Sequence, residues 1–230
     1  MGHAGGQMHI PGKSARLLLL LSLKVTIIVA IGLTMKPSRV PNIIAALRSL
    51  GEILASQGEY AVVVVVGGTA LIIQGFVARV TRDVDVIAIS RDPPERERMV
   101  IEPPEPLPES LLRAISRVAR DYHLPDDWMN TTAGLQWKTG LPLGFEERIN
   151  WEQYGGLWLG LADRYDLIFL KLYAAADSEG PSSVHYQDLT ALQPTNEELD
   201  AAARWVRSQD PSAPFARILD QVLEHTKNNE

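Results

Sequence analysis

Two rhythms of hydrophobic and polar positions run through this chain and predict its elements. Residues 41–57 place apolar side chains at helical spacing, which predicts an amphipathic helix. Val62 to Val66 is an unbroken run of β-branched residues inside a predicted strand 60–66. Such a run favours a strand covered on both faces, because every side chain must find an apolar neighbour. A short helix over 69–76 (TALIIQGF) and a strand over 83–89 (DVDVIAI) follow. In that strand the period of two sets Asp83 and Asp85 on one face, with Val84 and Val86 on the other.

Beyond residue 90 the pattern changes. Residues 91–108 hold six of the fifteen prolines together with several glutamates, so they predict a stiff exposed connection or a loop over a site. Helix 109–122 (ESLLRAISRVARDY) is stopped by the stretch around Pro125. Residues 154–162 (YGGLWLGLA) predict a further strand, and Asp163 is a good N-cap for a helix over 164–176. Helices over 184–192, 195–208 and 212–227 complete the chain. Together these elements predict an α/β (α+β) protein in three parts. Residues 1–34 form a leader, 35–108 the core, and 109–230 the remaining strands and a helical C-terminal part packed on it.

The leader needs its own reading. Residues 17–33 (LLLLLSLKVTIIVAIGL), behind Lys13 and Arg16, resemble a signal peptide or a short membrane anchor. Lys24 interrupts the run, and a lysine near the centre of a spanning helix costs about 2.5–3.5 kcal/mol on insertion scales. Met35 opens the sequence leading into the first helix and is a sensible start. The expectation is that 1–34 is upstream sequence read through a misassigned start, and that the protein is cytoplasmic with no stable membrane association.

At 230 residues, 46% hydrophobic and 22% charged, the chain is long enough to bury a full core. Its net charge of −6 gives no global basic surface for nucleic acid. A local patch is offered by Arg113, Arg117 and Arg120 along one side of helix 109–122, which also reads as a solvated face. Absence of cysteine excludes disulfides, thiolate metal sites and a cysteine nucleophile. The five histidines show no metal-ligand spacing. His185, three residues before Asp188 on a predicted helix, is a candidate for the site or for a capping or packing role.

The chemistry concentrates around the first strand. Gly67 and Gly68 let the backbone turn sharply and approach a ligand, since neither carries a Cβ. Thr69 opens a helix whose free amides would face the same turn and attract phosphate. Asp83 and Asp85, sharing a face, repel unless a cation lies between them. Magnesium suits them, because it uses one or two carboxylates plus substrate phosphates. Two such ions about 3.5–4 Å apart activate an attacking hydroxyl and stabilise leaving pyrophosphate. Lys171, amid Leu167, Ile168, Leu170 and Leu172, would bury its stem and extend its ammonium into a cleft.

Gly67, Gly68, Gly75, Arg79, Thr81, Asp83 and Asp85, in that order, resemble the signature of the nucleotidyltransferase-fold, polymerase-beta-like superfamily. Within it the chain is similar to small prokaryotic proteins related to the abortive-infection toxin nucleotidyltransferases. The resemblance covers roughly residues 40 to 208. It implies a mixed β-sheet flanked by helices, with a helical C-terminal part. It further implies that Lys171 contacts nucleotide phosphates and that Asp188 is a third metal carboxylate or base, with Glu147 second. Arg79 and Arg82 would contact phosphates, or Arg82 would pair with its acidic neighbours. Trp128 and Asn130 resemble a recurrent feature of these relatives, and read equally as a core aromatic and a turn residue. The chain departs from the pattern at Ala176-Asp177-Ser178-Glu179, where relatives often place an arginine.

The implied activity is transfer of a nucleoside monophosphate from NTP, with Mg2+ or Mn2+. The acceptor would be an RNA such as tRNA, a protein or a small-molecule hydroxyl. The resemblance also implies the toxin of a toxin–antitoxin pair, with an antitoxin partner. The alternative is a catalytically inactive nucleotide-binding or protein-interaction module of the same fold.

Overall fold

A computed structural model describes residues 42–94 and 99–228, together with Met1. The rest of the predicted leader 1–34, with its apolar run 17–33, lies outside the described residues. Helix α1 (Ile43–Ser56) begins at Asn42, whose side chain accepts from the backbone N–H of Ile44 and Ala45. It leads into β1 (Ala61–Val66), buried at every position as its β-branched run predicts. Helix α2 (Gly67–Ile73) follows without an intervening loop, so the two glycines expected as a turn form the helix's first residues. Strand β2 (Val84–Ser90) then pairs antiparallel with β1.

Two short strands were not legible in the sequence. β3 (Ile101–Glu102) and β4 (Met129–Asn130) have two residues each, too few for a periodicity to register. Both lie along β2. β3 pairs with Ile89 and Ser90 antiparallel, whereas β4 pairs with Val84 and Asp85 parallel. Helix α3 (Glu109–Tyr122) has the predicted bounds and ends at His123 in the left-handed conformation.

The predicted strand 154–162 is the second half of a hairpin, β5 (Asn150–Tyr154) and β6 (Leu157–Leu161), joined at Gly155 and Gly156. β5 is polar (NWEQY) and stands at the sheet edge, so its pattern carried no apolar alternation. Gly155 adopts φ 56°, and a Cβ on Gly156 would fall 2.6 Å from the Glu59 carbonyl oxygen. A two-residue hairpin loop requires this backbone freedom. The full order is β3-β2-β1-β6-β5 with β4 on β2, and β1 pairs parallel with β6. The sheet is therefore mixed, as the resemblance implies.

α1 packs against α3 and the β5–β6 hairpin. Helix α4 (Arg164–Ala176), capped by Asp163 through the Tyr165 amide, packs against α5 (Val184–Ala191), α6 (Asn196–Gln209) and α7 (Ala213–Asn228). Aromatic rings bind these helices together. Phe169 meets Tyr165 and Trp205 at 4.7 and 5.8 Å, and Tyr173 meets Phe215 at 5.6 Å between centroids. Arg164 of α4 reaches Glu198, the third residue of the Thr195 capping box on α6, at 2.6 Å. Among the described residues no helix is long and apolar enough to cross a membrane.

Candidate active site

The site forms where β1 ends beside the start of β2. Val66 is paired with Asp85, so the chain leaving β1 passes directly over that carboxylate. Gly67 has φ 69°, and a Cβ there would lie 2.1 Å from Asp85 Oδ2. Only glycine permits both the dihedral and this approach. A Cβ on Gly68 would lie 2.9 Å from Thr81 Oγ1 and 3.0 Å from the Arg79 guanidinium. Both glycines are thus filled by site side chains rather than by open space.

Each aspartate is held through one oxygen. Thr81 Oγ1 donates to Asp83 Oδ1 at 2.7 Å, and Asn130 Nδ2 donates to Asp85 Oδ1 at 3.2 Å. Burial and then the neighbouring Asp83 charge push the Asp85 carboxyl above the ordinary carboxylate range. Asn130 reaches Asp85 because the parallel β4–β2 pair sets the two residues opposite each other. It is therefore a site residue, beyond the turn role that its sequence context also suggested.

Thr69, expected among the nucleotide-binding residues, is fully buried and donates its hydroxyl to the Asp83 carbonyl at 2.7 Å. Its side chain tethers the two-aspartate segment. Arg82 is exposed and forms no ion pair among the described residues, so the expected pairing with acidic neighbours is not made. Glu147 is exposed on the 3-10 turn Phe145–Arg148, beside Gly144.

Lys171 and Asp188 come together with Arg79. Lys171 Nζ donates to Asp188 Oδ2 at 2.8 Å, and Arg79 donates to both oxygens of the same carboxylate at 3.1 and 2.8 Å. Burial alone would raise the Asp188 pKa, but the hydrogen bonds and charges of Arg79 and Lys171 outweigh it and hold it below the usual value. A carboxylate surrounded by two cations has little left to offer a metal ion or a proton. In the described structure Asp188 is thus the shared acceptor that anchors Arg79 and Lys171.

Gly67, Asp85, Lys171 and His185 line one cleft of about 550 Å³. His185 Nδ1 is buried without a hydrogen-bond partner among the described residues. Burial and then the Lys171 charge lower the His185 pKa, so the ring is neutral at neutral pH. The cleft continues between the 3-10 turn Thr132–Lys138 and α4, where Asp177 and Ser178 occupy the stretch that departs from the family pattern.

The donor set fits a hard divalent cation. Oδ1 of each aspartate is engaged, leaving both Oδ2 atoms, and Asp85 Oδ2 sits in the space that a Cβ on Gly67 would take. Two carboxylates with substrate phosphates complete a magnesium shell without a third acid. Among the described residues no group of three or more histidine, cysteine or acidic side chains is placed to hold a metal alone.

Searches of curated proteins and of solved structures find no match. One family model does, spanning residues 42–189 and so all of the strands and the glycine, aspartate, lysine and Asp188 positions described above. Its description is "Nucleotidyltransferase of unknown function (DUF6036)", and this chain belongs to that family.

Proposed function

We propose that the protein transfers a nucleoside monophosphate from NTP to a hydroxyl in a reaction dependent on Mg2+ or Mn2+. The observation that carries this reading is the seating of Asp85 Oδ2 against Gly67, both lining one cleft, with Asp83 two residues before it. Asp83 and Asp85 would hold the cations, which when bound polarise phosphate oxygens and stabilise the leaving pyrophosphate. Gly67 and Gly68 let ligand phosphates come close to the backbone. Lys171 and Arg79, oriented by Asp188, supply positive charge felt at Asp85, and Asn130 and Thr81 aim the two aspartates.

An RNA hydroxyl is the acceptor we favour, with tRNA first, ahead of protein and small-molecule hydroxyls. That order, like the reading of the protein as a cytoplasmic toxin with an antitoxin partner, rests on resemblance alone. The test is incubation of the full chain with magnesium, each radiolabelled NTP and bulk RNA, beside Asp83→Ala plus Asp85→Ala. Label transfer lost in the double variant supports the site. Transfer that survives the substitutions removes it.

A second reading is a nucleotide-binding module without transfer activity. The engagement of Asp188 by two cations favours it, because the carboxylate that the resemblance implies as third acid or base is already paired with Arg79 and Lys171. NTP binding without transfer to any offered hydroxyl would select this reading.

A further inference from the structure

His185 borders the cleft with its hydrogen-bonding capacity unspent. It is the second residue of α5 and lines the same space as Gly67, Asp85 and Lys171. Its two ring nitrogens stand in different surroundings. Nδ1 is buried and meets no hydrogen-bond partner among the described residues. Nε2 likewise bonds to none of them, yet it keeps contact with solvent, and the cleft is the open space that this ring borders.

The ring is neutral at neutral pH. Burial disfavours the imidazolium first, and the Lys171 and Arg79 charges act in the same direction, opposed by Asp188 alone. The first turn of α5 adds to this, because the amino end of a helix carries partial positive charge. A neutral imidazole has one N–H and one lone pair, and burial decides which nitrogen keeps which. A buried N–H without a partner is the rarer arrangement, whereas an under-satisfied acceptor is more readily tolerated. Nδ1 therefore keeps the lone pair, and the proton sits on Nε2.

We infer that His185 is a phosphate-binding residue whose Nε2–H donates to a phosphate oxygen of bound NTP. The inference rests on the nucleotidyl-transfer reading above. The neighbours of the ring select an anion: Lys171 and Arg79 are cationic, and the carboxylate between them, Asp188, is already engaged by both. Taking a proton from an acceptor hydroxyl would need the opposite tautomer, with an N–H buried against nothing at a cost of about 1–3 kcal/mol. Two cations beside the ring also make it a poor base. Being uncharged, His185 adds a donor to this wall without setting a third like charge beside Lys171 and Arg79. The proton stays on Nε2 throughout, and no bond to it is made or broken.

The test titrates the full chain with the α,β-methylene analogues of the four NTPs, in magnesium, by calorimetry. His185→Leu should weaken the binding of whichever analogue binds by about tenfold or more, the scale of one hydrogen bond to a charged group. His185→Gln, whose amide N–H has a similar reach, should recover most of that loss, which a packing role would not allow. Nitrogen NMR of the histidine-labelled chain gives a readout that does not depend on the folding of His185→Leu. The His185 ring, identified by its absence from the His185→Gln spectrum, should show a bare Nδ1 and a protonated Nε2, and Nε2 should shift when analogue is added. Unchanged affinity in His185→Leu overturns the inference, as does a proton on Nδ1 or a His185→Gln variant that recovers nothing. Transfer lost in His185→Leu with analogue binding intact overturns it too, by making the ring the base. If no analogue binds the unsubstituted protein, the nucleotidyl-transfer reading itself falls, a result distinct from binding that ignores His185.

Discussion

Lys171 and Asp188 form an ion pair at 2.8 Å with side-chain exposures of 6% and 1%. Two charges so far from water are held by each other and by Arg79, which completes the pairing from the less buried side. Removing one partner exposes the cost of burying the other. Asp188→Asn should destabilise the fold by about 3–5 kcal/mol, the scale found when a buried pair loses one member. Urea unfolding measures this. Adding Lys171→Met to the same variant should recover most of the loss, and no recovery would show that Asp188 matters for another reason.

Gly67→Ala places a methyl group 2.1 Å from Asp85 Oδ2 at a residue with φ 69°. The dihedral alone costs of order 1–3 kcal/mol, and the collision displaces the carboxylate. Both unfolding stability and Mn2+ affinity, followed by electron paramagnetic resonance, should fall. An unchanged metal affinity would detach Gly67 from the site.

Asn130→Ala frees Asp85 Oδ1 from its single side-chain donor. Removing a partner that orients a metal-binding carboxylate typically weakens affinity about 10–100-fold. The expected result is that loss in Mn2+ titration, with little change in unfolding because Asn130 is only partly buried. Asn130→Asp, which sets a third negative charge beside Asp85, should strengthen metal binding while lowering stability in chelator.

The Asp85 carboxyl is raised above its ordinary value of 3.8, first by burial and then by Asp83. Between that value and the higher folded one, the native state binds more protons than the unfolded chain. Stability therefore falls as pH rises through this window, the opposite of a salt-bridged acid. Above it the penalty is complete, and below 3.8 it vanishes. In chelator at neutral pH, Asp85→Asn should thus melt higher than the unsubstituted protein, and the difference should close as pH falls toward 3.8. Magnesium should raise the melting temperature of the unsubstituted protein and not that of Asp85→Asn. Identical magnesium effects on both would place the cation elsewhere.

The features readable along the chain are those set by a few neighbouring residues. The β-branched run of β1 has no conformation better than a doubly covered strand, and all its positions are buried. Asp163 caps α4 through the Tyr165 amide because its short carboxylate reaches two residues on. Of the two aspartates, Asp85 falls in β2 opposite Val66 of β1, whereas Asp83, expected in the same strand, precedes its first residue Val84. The polar edge strand β5 escaped notice because it buries too little to carry a periodic signal.

What tertiary structure decided is which distant groups meet and what they have left to offer. Asn130 reaches Asp85 only through a two-residue strand pair, 45 positions away along the chain. Arg79 lies 109 positions from Asp188, and their meeting, with Lys171, pairs one carboxylate with two cations. Thr69 and Gln136 look like free donors in one dimension, yet folding spends their protons on a neighbouring carbonyl and on a set of acceptors. Local backbone preference and side-chain rhythm act over a few residues and are written in order. Hydrogen-bond capacity is consumed by whichever partners burial brings close, so the availability of a lone pair or a proton is a property of the folded chain.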